Sequence, residues 1–424
     1  MQTYYGDFHV HLGRSADGRP IKITAAKGLT LAAALREGQQ RKGLDLVGIV
    51  DAACPPVLAD LEGLLQRGEL EELSGGGFRF HGGLVFLAGA EVETEEQRGP
   101  AHFLAFFPTL EALRAFSRRL SRWVTNPNLS SQHCRCRADD MLEEVVALEG
   151  IFLPAHAFTP HKGLFGQGVD DVAEAFTDRQ LARIPAMELG LSADTALADR
   201  IPGLGGFTFL SNSDAHSLPK IAREYNALEL AEANFREWAM ALRRQEGRRV
   251  AANYGLDPRL GKYHRSACPV CELIVDRPAP YFGPCARCGA PQLTPGVLDR
   301  IEWLARYGNG SMRHSGGCFP AGAAPSGNTA VDTSSDSYFL PSSVQRPPYI
   351  HQVPLEFLPG VGPKAMQKLL DCFGTEMNLL HRATDEEIAA AAGPKLAKTL
   401  LAHRRGEIAW IDGGGGRFGR VEVR

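Results

Sequence analysis

The residues with the most chemistry in them stand at the ends of short apolar runs. His9-Val10-His11 closes the first run. In an extended strand, positions i and i+2 project to the same side, so both imidazoles can reach one cation. Later runs end in Asp51, Glu91 and Glu93, His156, Glu188, Asp214 and His216, while Asp17 and His102 lie in or beside the intervening loops. Imidazole with carboxylate suits zinc, manganese or iron, and one carboxylate can bridge two ions. Two such cations, close together, generate hydroxide near neutral pH and stabilise charge on the attacking and leaving oxygens, so no nucleophilic side chain is needed. Asp214 is the residue expected to orient or deprotonate the water while holding metal.

Further along, Cys268-x2-Cys271 and Cys285-x2-Cys288 have the spacing of a closed four-thiolate zinc site, which is structural in character. Two basic stretches follow the same logic of local charge. Residues 114–137 hold six Arg and no acid, and residues 243–265 hold seven Lys/Arg against Glu246 and Asp257; such patches can neutralise phosphates. LEFLPGVGPKAMQKLLDCFGT (355–375) resembles a helix-hairpin-helix motif. Its glycines, Gly360 and Gly362, let backbone N–H groups approach a phosphate at a helix N-terminus, with Lys364 and Lys368 adding charge. AAAAGPKLAKTLL (389–401) reads as a weaker second copy. Contacts of this type hold DNA without reading its sequence.

The elements that must position these groups follow an alternating pattern. Residues 44–51, 84–93, 101–108, 150–157, 184–190 and 207–216 read as buried strands, with helices expected over 30–43 and 233–247. Alternation of this kind argues for a parallel α/β sheet, closed as a barrel or doubly wound, and in both cases functional groups gather at the C-terminal strand ends. At 424 residues the chain exceeds one core, and four segments are expected: a catalytic domain 1–254, a four-cysteine unit with a trailing helix 255–307, a Gly/Ser/Pro-rich flexible linker 308–348, and a helical DNA-binding domain 349–424. The net charge of -3 carries no global nucleic-acid signature, so any such footprint is local. With nine Cys in paired or scattered positions, no secretory signal and no membrane-length apolar run, the expected setting is a reducing one, cytoplasmic and nucleoid-associated.

Taken together, DFHVH with Asp17 downstream, GIVD ending at Asp51, AEVE with Glu91, AHFL with His102, PAH with His156 and SNSDAH with Asp214 and His216 resemble the polymerase-and-histidinol-phosphatase (PHP) superfamily. That resemblance implies a distorted (β/α)7 barrel that hydrolyses phosphate esters with two or three divalent metals, zinc with magnesium or manganese as alternatives. It implies that His9, His11, Glu91 and Asp214 hold one ion, that Glu91 bridges to a second held by His102 and His156, and that Asp17 and His216 belong to a third. Ala52 stands where the family usually has His, so the third site lacks a common ligand, and Asp51 is equally readable as ligand or as support for one. PAHAFTPHKGLFG (154–166), ELGLSAD (188–194) and SNSDAH (211–216) narrow the resemblance to the endonuclease Q family. The implied architecture is a PHP-type barrel, a small four-cysteine zinc domain with one structural Zn2+, and a C-terminal all-α helix-hairpin-helix domain. The implied activity is cleavage of DNA 5′ of deoxyuridine, deoxyinosine, deoxyxanthosine and abasic sites, leaving a 3′-hydroxyl and a 5′-phosphate. A flipped base would be received around His161, Lys162, Ser192 and Asp194. The alternatives are a small-molecule phosphatase and a 3′–5′ exonuclease; a replication or repair protein partner is expected without being identified.

Overall fold

The computed structural model describes residues 1–308, 346–407, 409–411 and 417–422. The linker expected at 308–348 therefore falls almost wholly outside the described residues. The strands up to residue 107 are β1 (Gln2–Val10), β2 (Leu46–Ile49), β3 (Leu70–Glu72), β4 (Phe78–Phe80), β5 (Val85–Glu95) and β6 (Pro100–Phe107). The next five are β7 (Ile151–Pro154), β8 (Ala186–Glu188), β9 (Thr208–Leu210), β10 (Tyr225–Leu230) and β11 (Arg249–Gly255). After the undescribed stretch come β12 (Tyr349–His351), β13 (Ala409–Ile411) and β14 (Arg420–Glu422).

Strands β1, β2 and β5 pair in parallel, as the alternating pattern predicts. Strand β6 does not: it pairs antiparallel with both β5 and β7. The connection 96–99 is too short to hold a crossover helix, so the chain can only return as a hairpin. The ring continues through Ala157 N–H to Glu188 O (2.8 Å), through the parallel pair β8–β9, and back to β1 through His11 N–H to Ala215 O (3.0 Å) and Ala215 N–H to His9 O (3.1 Å). Strand ends from distant parts of the sequence thereby converge on one mouth.

Apolar side chains fill both faces of this sheet. One layer packs Phe8, Phe106 and Trp238, with ring centroids 5.0 and 5.2 Å from Trp238. Trp238 comes from α7, whose N-cap Asn234 accepts from Glu237 N–H; among the helices, α1 (Leu31–Arg36), α2 (Pro55–Gln66), α3 (Leu110–Leu120), α4 (Ala138–Val146), α5 (Asp178–Leu181), α6 (Thr195–Ala198) and α7 (Phe235–Leu242) precede residue 250. Capping by Ser, Thr, Asn or Asp is the local reason that many of them start where they do. The remaining helices are α8 (Val297–Tyr307), α9 (Pro363–Phe373), α10 (Asp385–Ala392) and α11 (Pro394–Arg404).

The C-terminal segment corrects the all-α expectation. β12 extends the main sheet by pairing in parallel with β11, and β13 pairs with β14. Nor is the segment independent, because Val353, Leu355, Leu369, Leu380 and Leu400 belong to the same continuous apolar core as the β1–β5 residues. The interface is also polar in a controlled way. Buried Lys42 meets Glu376 at 2.9 Å, and His381 stacks on Tyr5 (centroids 4.3 Å apart) while meeting Tyr225 Oη at 2.8 Å. Among the described residues no helix is long and apolar enough to cross a membrane.

Lys42→Met leaves Glu376 buried without its main partner, and the expected cost is about 3 kcal/mol; loss of C-terminal protection in limited proteolysis, with the barrel intact, checks it. Buried Glu224 offers a second test. Burial drives its carboxyl up to about 8 from the ordinary 4.5, against the opposing pull of the Leu256 N–H and Arg223. The folded chain thus keeps a proton that the unfolded chain releases, so this contribution to stability is full below pH 4.5 and is lost as pH rises toward 8. Glu224→Gln should flatten the fall in melting temperature between about pH 5 and pH 8; an unchanged pH profile would refute the assignment.

Candidate metal centre

Strand β1 delivers His9 and His11 fully buried at its C-terminal end. Each ring is fixed through its Nδ1. His9 Nδ1 lies 2.9 Å from Glu188 Oε2, and His11 Nδ1 lies 2.9 Å from Asp51 Oδ1. With each Nδ1–H donating to a carboxylate, both Nε2 lone pairs turn inward, and they face each other at 3.2 Å. Two lone pairs at that distance repel unless a cation lies between them. Asp214 Oδ1 approaches both, at 3.5 Å from each Nε2. This is one donor set, with ligand atoms within 4.8 Å of one another.

The second set is Glu91, His102 and His156, again within 4.8 Å. His156 Nδ1 is held by Thr159 Oγ1 at 3.0 Å, leaving Nε2 3.4 Å from Glu91 Oε1. His102 uses the opposite face. Its Nε2 meets Glu93 Oε2 at 3.1 Å, whereas Nδ1 lies 2.8 Å from Glu91 Oε1 and yet has no hydrogen-bond partner. An orphaned buried nitrogen beside a carboxylate oxygen is what two ligands of one cation look like. Glu91 joins the sets: Oε1 faces His9, His102 and His156, and Oε2 faces His11 at 3.4 Å.

Electrostatics agree with this reading. Burial alone would lower the His9 pKa, but Glu188 and Asp214 raise it well above its ordinary value, so the cluster recruits positive charge wherever it can. Burial likewise opposes the Asp214 carboxylate, and His9, His11 and His216 overcome it to hold its pKa down. His156 and Asp214 both adopt left-handed backbone, with φ of 28° and 45°. Non-glycine residues are strained there, and such strain concentrates where side chains must be aimed. Gly190, at φ 80°, lies against His156; a Cβ there would come within 3.0 Å of the His156 Cβ.

Not every expected residue arrives. Asp17 is exposed on the loop after β1, paired with Arg19 at 2.9 Å and bonded to Ser15, and it belongs to neither donor set. Its expected place in a third site has no supporting contact among the described residues. His216 does reach the centre's edge, its ring 4.7 Å from His11 and its Nδ1 3.0 Å from Asp214 O. Asp51 supports His11 and does not join a donor set. Ser192 and Asp194, expected around a flipped base, have other partners in this structure. Ser192 is buried against Gly261, and Asp194 caps α6 through Leu197 N–H while pairing with His351 at 3.1 Å. Lys162 meets Glu93 at 2.5 Å, and His161 lines a cavity of about 220 Å3 with Lys262, Tyr263 and Arg265.

Sequence reasoning missed Lys22. It sits in the Gly/Pro-rich loop after β1, where no periodicity or motif marks it, yet its Nζ is 2.8 Å from Glu91 Oε2 and 2.5 Å from Ser131 Oγ. A lysine in a folded-back loop leaves no signal in the sequence pattern.

The four cysteines converge as their spacing predicts, with Cys268–Cys288 and Cys271–Cys285 sulfurs each 3.5 Å apart. That separation is close to the edge of a tetrahedron of thiolates around zinc. Asp299 of α8 anchors the unit by accepting from Ser266 N–H and Oγ–H and from Tyr281 N–H. The first basic stretch keeps Arg118, Arg122 and Arg135 exposed without a carboxylate partner among the described residues. The second is mostly consumed: Arg248, Arg249, Arg259 and Arg265 pair with acids, and Arg244 holds Phe207 O. At the C-terminus, Gly362 and Gly393 each precede a Pro-Lys helix start, α9 and α11, and Lys364, Lys368 and Lys395 are exposed.

Asp51→Asn and Glu188→Gln each leave an imidazole without its charged support, and a 10- to 100-fold loss of metal affinity is expected, roughly the cost of removing such partners elsewhere. Metal titration by calorimetry checks it, and unchanged affinity in both variants would remove these carboxylates from the design.

No protein-family model matches this chain. Uncharacterized protein YqxK of Bacillus subtilis is 41% identical over 425 residues, covering 100% of both chains. The crystal structure of the lesion-specific endonuclease PfuEndoQ from Pyrococcus furiosus superposes with a TM-score of 0.76 at 29% identity, covering 100% of this chain and 96% of that one. A structure of Endonuclease Q in complex with a 27-mer duplex carrying an abasic lesion at its active site gives a TM-score of 0.76 at 28% identity, covering 100% and 97%.

Proposed function

The chain belongs to the endonuclease Q family and is a DNA endonuclease; on that footing we propose that it nicks DNA 5′ of deoxyuridine, deoxyinosine, deoxyxanthosine and abasic sites, leaving a 3′-hydroxyl and a 5′-phosphate. The observation that carries this reading is the pair of donor sets joined by Glu91, in which every ring nitrogen turned away from the centre is held by a neighbour. Such preorganisation suits a centre that acts on a phosphodiester. Bound divalent cations would polarise the phosphate and lower the pKa of an attacking water.

The chain's own residues supply the rest. Asp214, strained and partly open to solvent, is positioned to orient or deprotonate the water while contributing to the first donor set. Glu91 spans the two sets and fixes their separation. Lys162 and His161, on the loop after β7, stand at the rim where an extruded nucleotide would enter, and Glu93 holds Lys162 toward the centre. Extrusion costs least where pairing is already weak, which favours deaminated and abasic sites over normal pairs. Arg118, Arg122 and Arg135 and the Gly-Pro-Lys helix starts offer sequence-independent phosphate contacts. The barrel is read as PHP-type, the cysteine unit as a structural zinc domain, and residues 349–424 as the hairpin DNA-binding segment. A substrate chosen by its backbone and lesion, with no base sequence read, fits all of these.

Nicking of labelled duplexes with one deoxyuridine, deoxyinosine, abasic site or normal base tests the proposal. A single metal-dependent cut immediately 5′ of the lesion is expected. Asp214→Asn should abolish the cut while leaving DNA affinity within a few-fold, and equal loss of both would count against its role in the chemistry. Lys364→Glu with Lys368→Glu should weaken binding and lower the slope of log affinity against log salt by about 2, at roughly one unit per phosphate contact. An unaltered slope would take the hairpin out of the DNA interface.

A further inference from the structure

The loop after β1 does something at the metal centre that its sequence does not announce. It turns back so that Ile21 N–H bonds Gly13 O and Lys22 N–H bonds Leu12 O, both at 3.0 Å, which sets Lys22 alongside His11. Ser130 N–H then bonds Ile21 O at 3.1 Å, bringing the 130–131 turn onto the same loop. The Lys22 side chain, only 14% exposed, runs inward to Glu91 Oε2 and Ser131 Oγ. Ser130 Oγ meets Asp51, and Ser131 Oγ meets Glu91 Oε2. Lys22 is thus held by a built network, and it occupies the His11 side of Glu91.

That is the side on which a third cation would need ligands, and among the described residues neither Asp17 nor Ala52 offers one there. Asp17 points to solvent and Arg19, and Ala52 is apolar. The two donor sets in the centre draw on no residue between 12 and 22.

We propose that Lys22 takes the place of a third metal: the centre holds two cations, and the Lys22 ammonium is a catalytic residue that contacts a non-bridging oxygen of the scissile phosphate. An ammonium has three N–H donors. Two are engaged by Glu91 and Ser131, and the third has no partner among the described residues. A fixed monovalent cation at this place stabilises charge developing on the phosphate, without needing to be loaded from solution. The proposal rests on the two-metal reading of the centre given above.

Metal content and cleavage, measured on the full chain, test it together. Wild type, saturated with Mn2+ or Zn2+ and freed of excess, is expected to hold three metals per chain by elemental and native mass measurement: two in the centre and one on the cysteines. Lys22→Met should keep all three and bind lesion duplex within a few-fold, while its single-turnover cleavage falls about 100-fold, the scale of removing one preorganised donor. Lys22→Arg should recover part of that rate. A fourth metal in wild type, or wild-type cleavage by Lys22→Met, overturns the proposal. Loss of a centre metal in Lys22→Met also overturns it, since the lysine would then be supporting a ligand. Wild type holding only the cysteine-bound metal sinks the two-metal reading and this inference with it, an outcome distinct from the others. Should Lys22→Met fail to fold, the wild-type metal count still decides.

Discussion

A carboxylate almost wholly shut off from solvent needs positive charge around it, and Glu91 is that carboxylate. Its two oxygens face four imidazoles and one ammonium, delivered by β1, the loop after β1, β6 and the turn after β7. An isolated buried carboxylate would take up a proton. Here burial pushes the Glu91 pKa up, but His102, Lys22 and His11 overcome it and hold the group ionised. The convergence of imidazoles on this mouth keeps that charge compensated.

Compensation requires that the imidazoles be aimed, and the aiming is done from behind. Glu188, Asp51, Thr159 and Glu93 each fix one ring, and they come from β8, the end of β2, the turn after His156 and β5. This ring of supports exists only because the strands close into one mouth, which depends in turn on the main-chain link between β1 and residue 215. The antiparallel β5–β6 hairpin has a further consequence. It sets Glu93 opposite His102 across the ladder, so the residue that orients His102 is its direct cross-strand neighbour. A helical crossover between those strands would have broken that pairing.

Much of this was legible in the sequence because strands have a fixed geometry. His9 and His11 at i and i+2, and acids or imidazoles closing apolar runs, follow from the two-residue period and from the gathering of strand ends. Spacing was likewise sufficient for the four cysteines, where geometry is local. What failed to show was whatever depends on loops. Asp17 and Lys22 are five residues apart in one irregular segment, and only its fold-back decides that the lysine enters the centre while the aspartate meets solvent. Ser192 and Asp194 lie beside Glu188 in sequence, yet a helix cap and the strand at residue 351 claim Asp194. The addition of β12 to the main sheet was hidden for a related reason. A three-residue strand acquires its identity from the edge it joins and carries too few residues to show a period of its own.

The placement of the C-terminal helices bears on how the endonuclease engages its substrate. A domain on a flexible tether raises the local concentration of DNA but does not fix where the backbone lies relative to the cutting site. Here the segment from β12 to α11 shares the apolar core of the main sheet, and its polar contacts include Lys42 with Glu376, His351 with Asp194, and His381 between Tyr5 and Tyr225. Repacking such an interface to swing the helices by several ångströms would expose apolar area and strand Glu376 without its charge partner. If the exposed Gly-Pro-Lys helix starts hold phosphates as proposed, that packing would constrain which phosphodiester can lie over the centre. Under the proposed function, position along the strand would be chosen by these two elements, and the lesion would decide whether the nucleotide at that position can leave the stack.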